Sequence, residues 1–304
     1  MASSRHRVER LDQLGPDDEV AVEALATQAG EHDGFAPLNE HALLHLRHPD
    51  PDASWHLLGR ADGTLAGYAH LDVSTRGPVQ AECVVAPEYR RAGWGRALVT
   101  TALELTAPRP LQLWSHGDSA AAARLATSLG FTRVRELWQM RRPLHTELPE
   151  LPDVAGVRIR TFRPGTDDAA WLALNARAFV EHPEQGAMTQ HDLDRRMSEP
   201  WFDPVGFFIA ARDGRLVGFH WTKVHGDPDG GHAPVGEVYV VGVDPDARGD
   251  GLGRLLMLTG LHHLRNRGLD CVLLYVESDN TAAVAVYSRL GFQLVATDVL
   301  YRTR

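Results

Sequence analysis

Apolar positions in the second half of the chain change period along its length. Arg158–Phe162, Val235–Val243 and Cys271–Glu277 read as strands. Trp171, Leu174 and Ala178 recur at helical spacing within Asp167–Phe179, and Thr189–Met197 opens on a helix-capping threonine. Phe207–Ala211 and Leu216–Val224 flank Asp213-Gly214, a dipeptide that favours a tight hairpin turn. Gly251–Asn266 and Asn280–Leu290 read as helices, and Phe292–Tyr301 as the last strand. The first half repeats the series, with a hairpin over Trp55–Asp72 turning on Asp62-Gly63. This mixture predicts an α/β (α+β) chain of mixed sheets flanked by helices.

The repetition extends to individual residues. V-V-A-P-E-Y-R-R-A-G-W-G (84–95) matches G-V-D-P-D-A-R-G-D-G-L-G (242–253): Pro87, Gly93 and Gly95 stand 158 residues before Pro245, Gly251 and Gly253. L-G-F at 129–131 recurs 161 residues later, at 290–292. A period this long implies two similar domains in tandem rather than a solenoid. The proline-rich stretch R-P-L-H-T-E-L-P-E-L-P-D-V-A-G (142–156) predicts a linker near 144–154, between domains at 1–147 and 153–304.

A chain of 304 residues with 43% hydrophobic and 23% charged residues suits two globular domains. Its net charge of −9 gives no global electrostatic case for nucleic acid. Cys83 and Cys271 lie in short apolar runs without a CxxC pair, which predicts reduced, buried thiols. The N-terminal M-A-S-S-R-H-R-V-E-R has no apolar stretch for a signal peptide, and no run approaches a membrane span; a cytoplasmic monomer is expected. His41, His45 and His48 share a helical face without an acid or cysteine at ligand spacing, so a solvated face and no metal are expected. His116 is expected only to cap a turn.

The chemistry concentrates at the glycine turns. Arg248-x-x-Gly251-x-Gly253 follows a strand and opens a helix, where unpaired N–H groups and backbone free of side chains favour a diphosphate. Arg254 adds charge, whereas Asp250 is unhelpful there unless it points away. Arg90-x-x-Gly93-x-Gly95, with Arg91 and Arg96, repeats the turn. Neither is a G-x-G-x-x-G fingerprint or a Walker loop. Upstream, Glu237 interrupts an apolar strand and, at period 2, shares a face with Tyr239, Val241 and Val243. It reads as a general base or as an edge carboxylate facing water. Tyr287 reads as a proton donor or as a packed core phenol. The first half has Val79 and Ala126 at the matching offsets, Ser119 for Asn280, and Glu82 out of register.

Arg-x-x-Gly-x-Gly followed by Asn280, Ala283, Tyr287, Gly291 and Phe292 resembles the GNAT acetyltransferase superfamily, once per half. G-F-H-W-T-K-V-H (218–225), G-E-V-Y-V-V-G-V-D-P (236–245), L-L-Y-V-E-S-D-N (273–280), H-P-E-Q-G (182–186) and E-L-W-Q-M-R-R-P-L (136–144) are similar to the mycothiol synthase family of tandem acetyltransferases. The resemblance implies two splayed mixed sheets and acetyl-CoA as co-substrate. It implies transfer of acetyl to the cysteinyl amine of Cys-GlcN-inositol, an aminothiol glycoside, as the last step of mycothiol biosynthesis. Glu237 would be the base and Tyr287 the acid. Acetyl-CoA would lie on Val241, Gly242, Val243, Arg248, Gly249, Asp250, Gly251, Leu252, Gly253, Arg254, Asn280 and Ala283. The non-catalytic first half would offer Cys83, Val84, Val85, Arg90, Arg91, Gly93 and Gly95. Glu40, Glu184, Lys223, Glu237 and Tyr275 match substrate-contacting positions. The alternatives are a tandem GNAT acting on another small-molecule or protein amine, and a non-catalytic acyl-CoA sensor.

Overall fold

The computed structural model describes residues 6–226 and 233–304, so residues 1–5 of the N-terminal decapeptide lie outside it. The chain forms two compact units. Unit 1 comprises Met1–Trp138, Glu277–Asp279 and Ala296–Arg304; unit 2 comprises Gln139–Val276 and Asn280–Val295.

In unit 1, β1 (Val8–Leu11), β2 (Ser54–Ala61), β3 (Thr64–Asp72), β4 (Val79–Val85) and β5 (Leu111–Ser115) lie in that order, and β12 (Gln293–Arg302) pairs antiparallel to β5. One sheet face packs Val79, Ala81, Leu111 and Val299 against α3 (Trp94–Thr106) and α4 (Ala120–Ser128). The other packs Leu58, Tyr68 and Val84 against α1 (Pro16–Asp33) and α2 (Glu40–Arg47). Burial on both faces explains why these strands carry apolar runs rather than a clean alternation.

In unit 2 the last residues of β6 (Thr132–Pro143) begin the order β6-β11-β10-β9-β8-β7. The other strands are β7 (Val157–Thr161), β8 (Phe207–Arg212), β9 (Arg215–His225), β10 (Val235–Val243) and β11 (Cys271–Glu277). Helices α5 (Asp168–Ala178) and α7 (Gln190–Met197) belong to an aromatic core of Phe162, Trp171, Phe207, Phe219 and Trp221. Helix α8 (Leu252–Asn266) buries Leu252 and Leu256 against Ala210 and Val217. The remaining helices are α6 (Pro183–Gly186) and α9 (Thr281–Arg289).

The local signals act as their chemistry requires. Asp62 and Gly63 take φ of 49° and 84°, and Asp213 and Gly214 take 51° and 78°, the pair of positive values a two-residue hairpin demands. Thr189 caps α7 in a reciprocal box with Asp192. Residues 145–156 contain no helix or strand, yet Leu148 and Val154 are buried, so the segment packs along its length. No helix among the described residues is long and apolar enough to cross a membrane.

The histidine face of α2 differs from expectation. His45 is buried, its Nδ1 3.1 Å from Nε2 of His70, and His41 bonds Asp72 at 2.9 Å. The β2–β3 hairpin supplies buried polar groups that a helix-spacing argument does not reveal, and His48 is the C-cap of the helix. Among the described residues no group of three or more His, Cys, Asp or Glu is disposed to hold a metal.

Buried imidazoles set an acid limit on stability. Burial lowers His56 to about 4, against the opposing charge of Asp12, and lowers His220 to about 4 despite its bond to the Leu256 carbonyl. The unfolded chain takes up these protons below about 6.5, and the folded chain only near 4. Stability is therefore expected to fall as pH drops from about 6.5 to 4, by up to about 3 kcal/mol per histidine. His116, held at about 10, contributes its full stabilisation below about 6.5 and so does not mask this loss. Urea midpoints at pH 6, 5 and 4.5 should decline steadily, and equal midpoints would contradict neutral burial.

Candidate active site

Two breaks in regular pairing shape unit 2. β10 and β11 run parallel through only three pairs, Gly236–Val272, Glu237–Leu273 and Val238–Leu274. Beyond them β10 continues to Val243 alongside β9 alone, so the strands part and leave β10 backbone facing the gap. Val241, Gly242 and Val243 lie on this stretch. Second, the β9–β10 register shifts between Val238 and Val240, making Tyr239 an extra residue.

This bulge corrects the single face expected for Glu237, Tyr239, Val241 and Val243. Tyr239 and Val240 both pack on the aromatic side with Trp221, whereas Val241 and Val243 pack on the α8 side. A one-residue insertion inverts every later side chain. It also changes the counterpart of Glu237. Gly67–Val85 and Gly218–Val243 are equivalent pairs; counting back, Asp72–Gln80 matches Lys223–Glu237. The first-half partner is therefore Gln80 rather than Val79, an amide that supplies no base. The bulge leaves no signature in a constant sequence offset.

Glu237 is 7% exposed on a strand with neighbours on both sides, so it is not an edge carboxylate facing water. Lys223 stands directly opposite on β9, its ammonium 4.3 Å from the Trp201 ring centre and 5.3 Å from that of Tyr239. Nε2 of His225 contacts the Glu237 carboxylate, a partner that sequence reasoning missed. Its only signal is the two-residue spacing from Lys223, which puts both on one face of β9. Tyr275, two residues beyond Leu273 on β11, shares the Glu237 face by the same rule. It is half exposed and accepts a 2.9 Å hydrogen bond from Gln139. Tyr287 lies on α9, its ring 6.0 Å from that of Phe292, and burial pushes its phenol pKa up. Glu184 is on α6, its side chain outside the described part. Glu40 begins α2 in unit 1, where Asn39 caps the helix through the Ala42 N–H at 2.9 Å.

The glycine turn of unit 2 is open. Gly249 and Gly251 take φ of 102° and 82°, and no atom lies within 4 Å of where a Cβ would project from either. Gly251 caps α8 without a side chain, leaving the first-turn N–H groups of Leu252, Gly253 and Arg254 to face an anion. Asp250 does not burden this site uncompensated, because Nη1 and Nη2 of Arg212 each lie 3.2 Å from its carboxylate. The turn is anchored by buried Asp244, which accepts from the Asp246 N–H at 3.1 Å and from Arg177 at 2.9 Å. Burial would raise the Asp244 pKa, but the Arg177 and Asp246 hydrogen bonds and the charges of Arg177 and Arg215 hold it below its usual range. Asn280 caps α9 through the Ala283 N–H at 3.1 Å.

Unit 1 keeps the turn but employs its groups differently. Arg90 forms a bidentate pair with Asp33 at 2.7 and 2.8 Å, and Arg96 bonds Ser128 at 2.7 Å. Arg91 occupies the left-handed region at φ 64°, where unit 2 has Gly249. Gly93 has φ 106°, and the His6 ring lies 3.1 Å from where its Cβ would be. β4 and β5 part after Ala81–Leu113, placing Cys83, Val84 and Val85 beyond the last pair. Cys83 there and Cys271, the first residue of β11, are free thiols but half-buried rather than buried. His116 does more than cap. Its Nε2 lies 2.8 Å from Glu82 and its Nδ1 2.9 Å from Asp298. Burial alone would lower its pKa, but the two carboxylates outweigh it and push it up to about 10. The imidazolium is thus held as a clamp.

Residues 21–131 and 171–292 each match the family model for the acetyltransferase (GNAT) family. The chain belongs to the GNAT acetyltransferases. The mycothiol acetyltransferase of Thermobispora bispora is 57% identical over 94% of this chain and 96% of its own length. That of Streptomyces coelicolor is 51% identical over 97% and 95%. In fold, this GNAT chain is similar to a tandem GNAT protein from the clavulanic acid biosynthesis pathway, with TM-score 0.73 and 23% identity over 98% of each chain. A GCN5-related N-acetyltransferase from Sphaerobacter thermophilus gives TM-score 0.69 and 24% identity, covering 100% of this chain and 96% of that one. The chain is an acetyl-CoA-dependent N-acetyltransferase by family, with its two GNAT regions arranged in tandem.

Proposed function

We propose that unit 2 transfers acetyl from acetyl-CoA to the cysteinyl amine of Cys-GlcN-inositol, completing mycothiol in the cytoplasm, and that the chain works as a monomer. The observation that carries this reading is a buried carboxylate, Glu237, beside a parted pair of strands and on the same unit as an open, uncapped glycine turn. The turn suits the diphosphate of acetyl-CoA, with Arg248 and Arg254 adding charge. The edge of Val241–Val243 that β11 leaves without a strand partner suits the amide-bearing arm between diphosphate and thioester. Asn280 and Ala283 hold the helix start on the far side of the gap. Within unit 2, Lys223, Glu184 and Tyr275 are assigned to the acceptor's sugar and cysteinyl groups.

An α-amino group has an ordinary pKa near 8, so much of it is protonated at pH 7 and does not attack. Glu237 takes the proton of the ammonium, the free amine nitrogen forms its bond to the thioester carbon, the carbon–sulfur bond breaks, and the second nitrogen proton is released to solvent to leave the neutral amide. Tyr287 supplies the proton that the departing thiolate takes up. Burial favours the neutral, proton-bearing phenol. The first half (1–147) holds acetyl-CoA without chemistry on Cys83–Val85, Arg90, Arg91, Gly93 and Gly95, while residues 153–304 carry catalysis.

Labelled acetyl-CoA with Cys-GlcN-inositol should give an amide-linked product. Transfer only to other amines would replace the substrate, and binding without transfer would make the chain a sensor. Tyr287→Phe is expected to lower kcat by about 10²-fold or more while leaving acetyl-CoA binding intact, as loss of a general acid does. A variant as fast as wild type would reduce Tyr287 to packing.

A further inference from the structure

We infer that His225 is a positioning residue for Glu237, holding one carboxylate oxygen so that the other is presented to the acceptor amine. The inference rests on the reading of Glu237 as the base. β9 runs antiparallel to β10, with Lys223 opposite Glu237 and His225 opposite Val235. His225 therefore reaches Glu237 along the diagonal between neighbouring strands, on the face it shares with Lys223. Its Nε2 contacts Oε2 of Glu237.

The pair has a wet end and a dry end: the histidine side chain is 43% exposed and the carboxylate side chain 9%. When Glu237 is ionised, one proton lies between the two groups. It sits on Nε2, which donates to Oε2. Oε1 is the oxygen that takes the amine proton during attack, so the step needs no second proton from His225. A glutamate has three rotatable side-chain bonds, and a base displaced by about 1 Å loses much of its rate advantage. The Lys223 ammonium, directed at the Trp201 and Tyr239 rings, is the other charged group facing Glu237 from β9. The imidazole fixes Oε2, and the remaining rotation of the carboxylate is removed.

The test compares kcat and KM for His225→Ala, His225→Gln, Glu237→Gln and the double variant Glu237→Gln/His225→Ala. His225→Ala is expected to lower kcat about 10–100-fold, the loss of one hydrogen bond to an ionised group, with KM for acetyl-CoA within twofold. His225→Gln places an amide donor there and recovers most of the rate. The double variant should be no slower than Glu237→Gln alone, because His225 acts only through that carboxylate. If Glu237→Gln is slow but His225→Ala is as fast as wild type, the positioning role is overturned while the base stands. Losses that multiply in the double variant overturn it as well. Glu237→Gln at the wild-type rate overturns the base reading itself.

Discussion

Glu237→Gln is expected to lower turnover at pH 7 by about 10²–10⁴-fold and to leave acetyl-CoA affinity within a few-fold. The amide keeps the volume and one hydrogen-bonding oxygen of the carboxylate but accepts no proton at neutral pH. Its place on a central strand, opposite Lys223, keeps the packing of β10 little changed. Calorimetric titration checks that the acetyl-CoA site survives, and initial rates give the loss. Substrate turnover at the wild-type rate would remove Glu237 from the chemistry.

Gly251→Asp is expected to abolish turnover, while Gly93→Asp lowers it by less than tenfold. Aspartate tolerates a positive φ better than most residues and is a favourable helix-capping residue, so the fold should hold. Its carboxylate would occupy the first-turn N–H groups of α8 that Gly251 leaves uncapped, and would add a negative charge where a diphosphate must rest. At Gly93 the added side chain meets the His6 ring in a unit whose counterpart to Glu237 is Gln80. Equal losses in two folded variants would mean that both units serve the chemistry.

Most of the framework was legible because it depends on short-range signals. Asp62-Gly63 and Asp213-Gly214 specify their turns through positive φ, Thr189 caps its helix, and the Gly251 turn follows its strand as the spacing predicts. The site was legible as individual residues and less so as a geometry. The Tyr239 bulge is a pairing event between strands, so it moved Val241 and Val243 to the opposite face and made Gln80 the counterpart of Glu237. The partners of His116, Asp250 and Glu237 come from other strands, 182, 38 and 12 residues away in sequence. Complementary charge over such separations leaves no periodic trace. The last strand presents the same difficulty: Val299–Arg302 pairs with β5 of unit 1, although its sequence follows the α9 helix of unit 2.

If Glu237 in unit 2 deprotonates the acceptor amine, its loss costs most where the amine is protonated. The most direct measurement is the ratio of wild-type to Glu237→Gln turnover on Cys-GlcN-inositol, with acetyl-CoA saturating, at pH 7 and pH 9. An α-amino group with pKa near 8 is mostly protonated at the lower pH and mostly neutral at the higher. The ratio is therefore expected to shrink by about tenfold on going to pH 9, as the amine loses its proton to solvent instead. A ratio that is large and identical at both values, or one near unity throughout, would contradict the assignment.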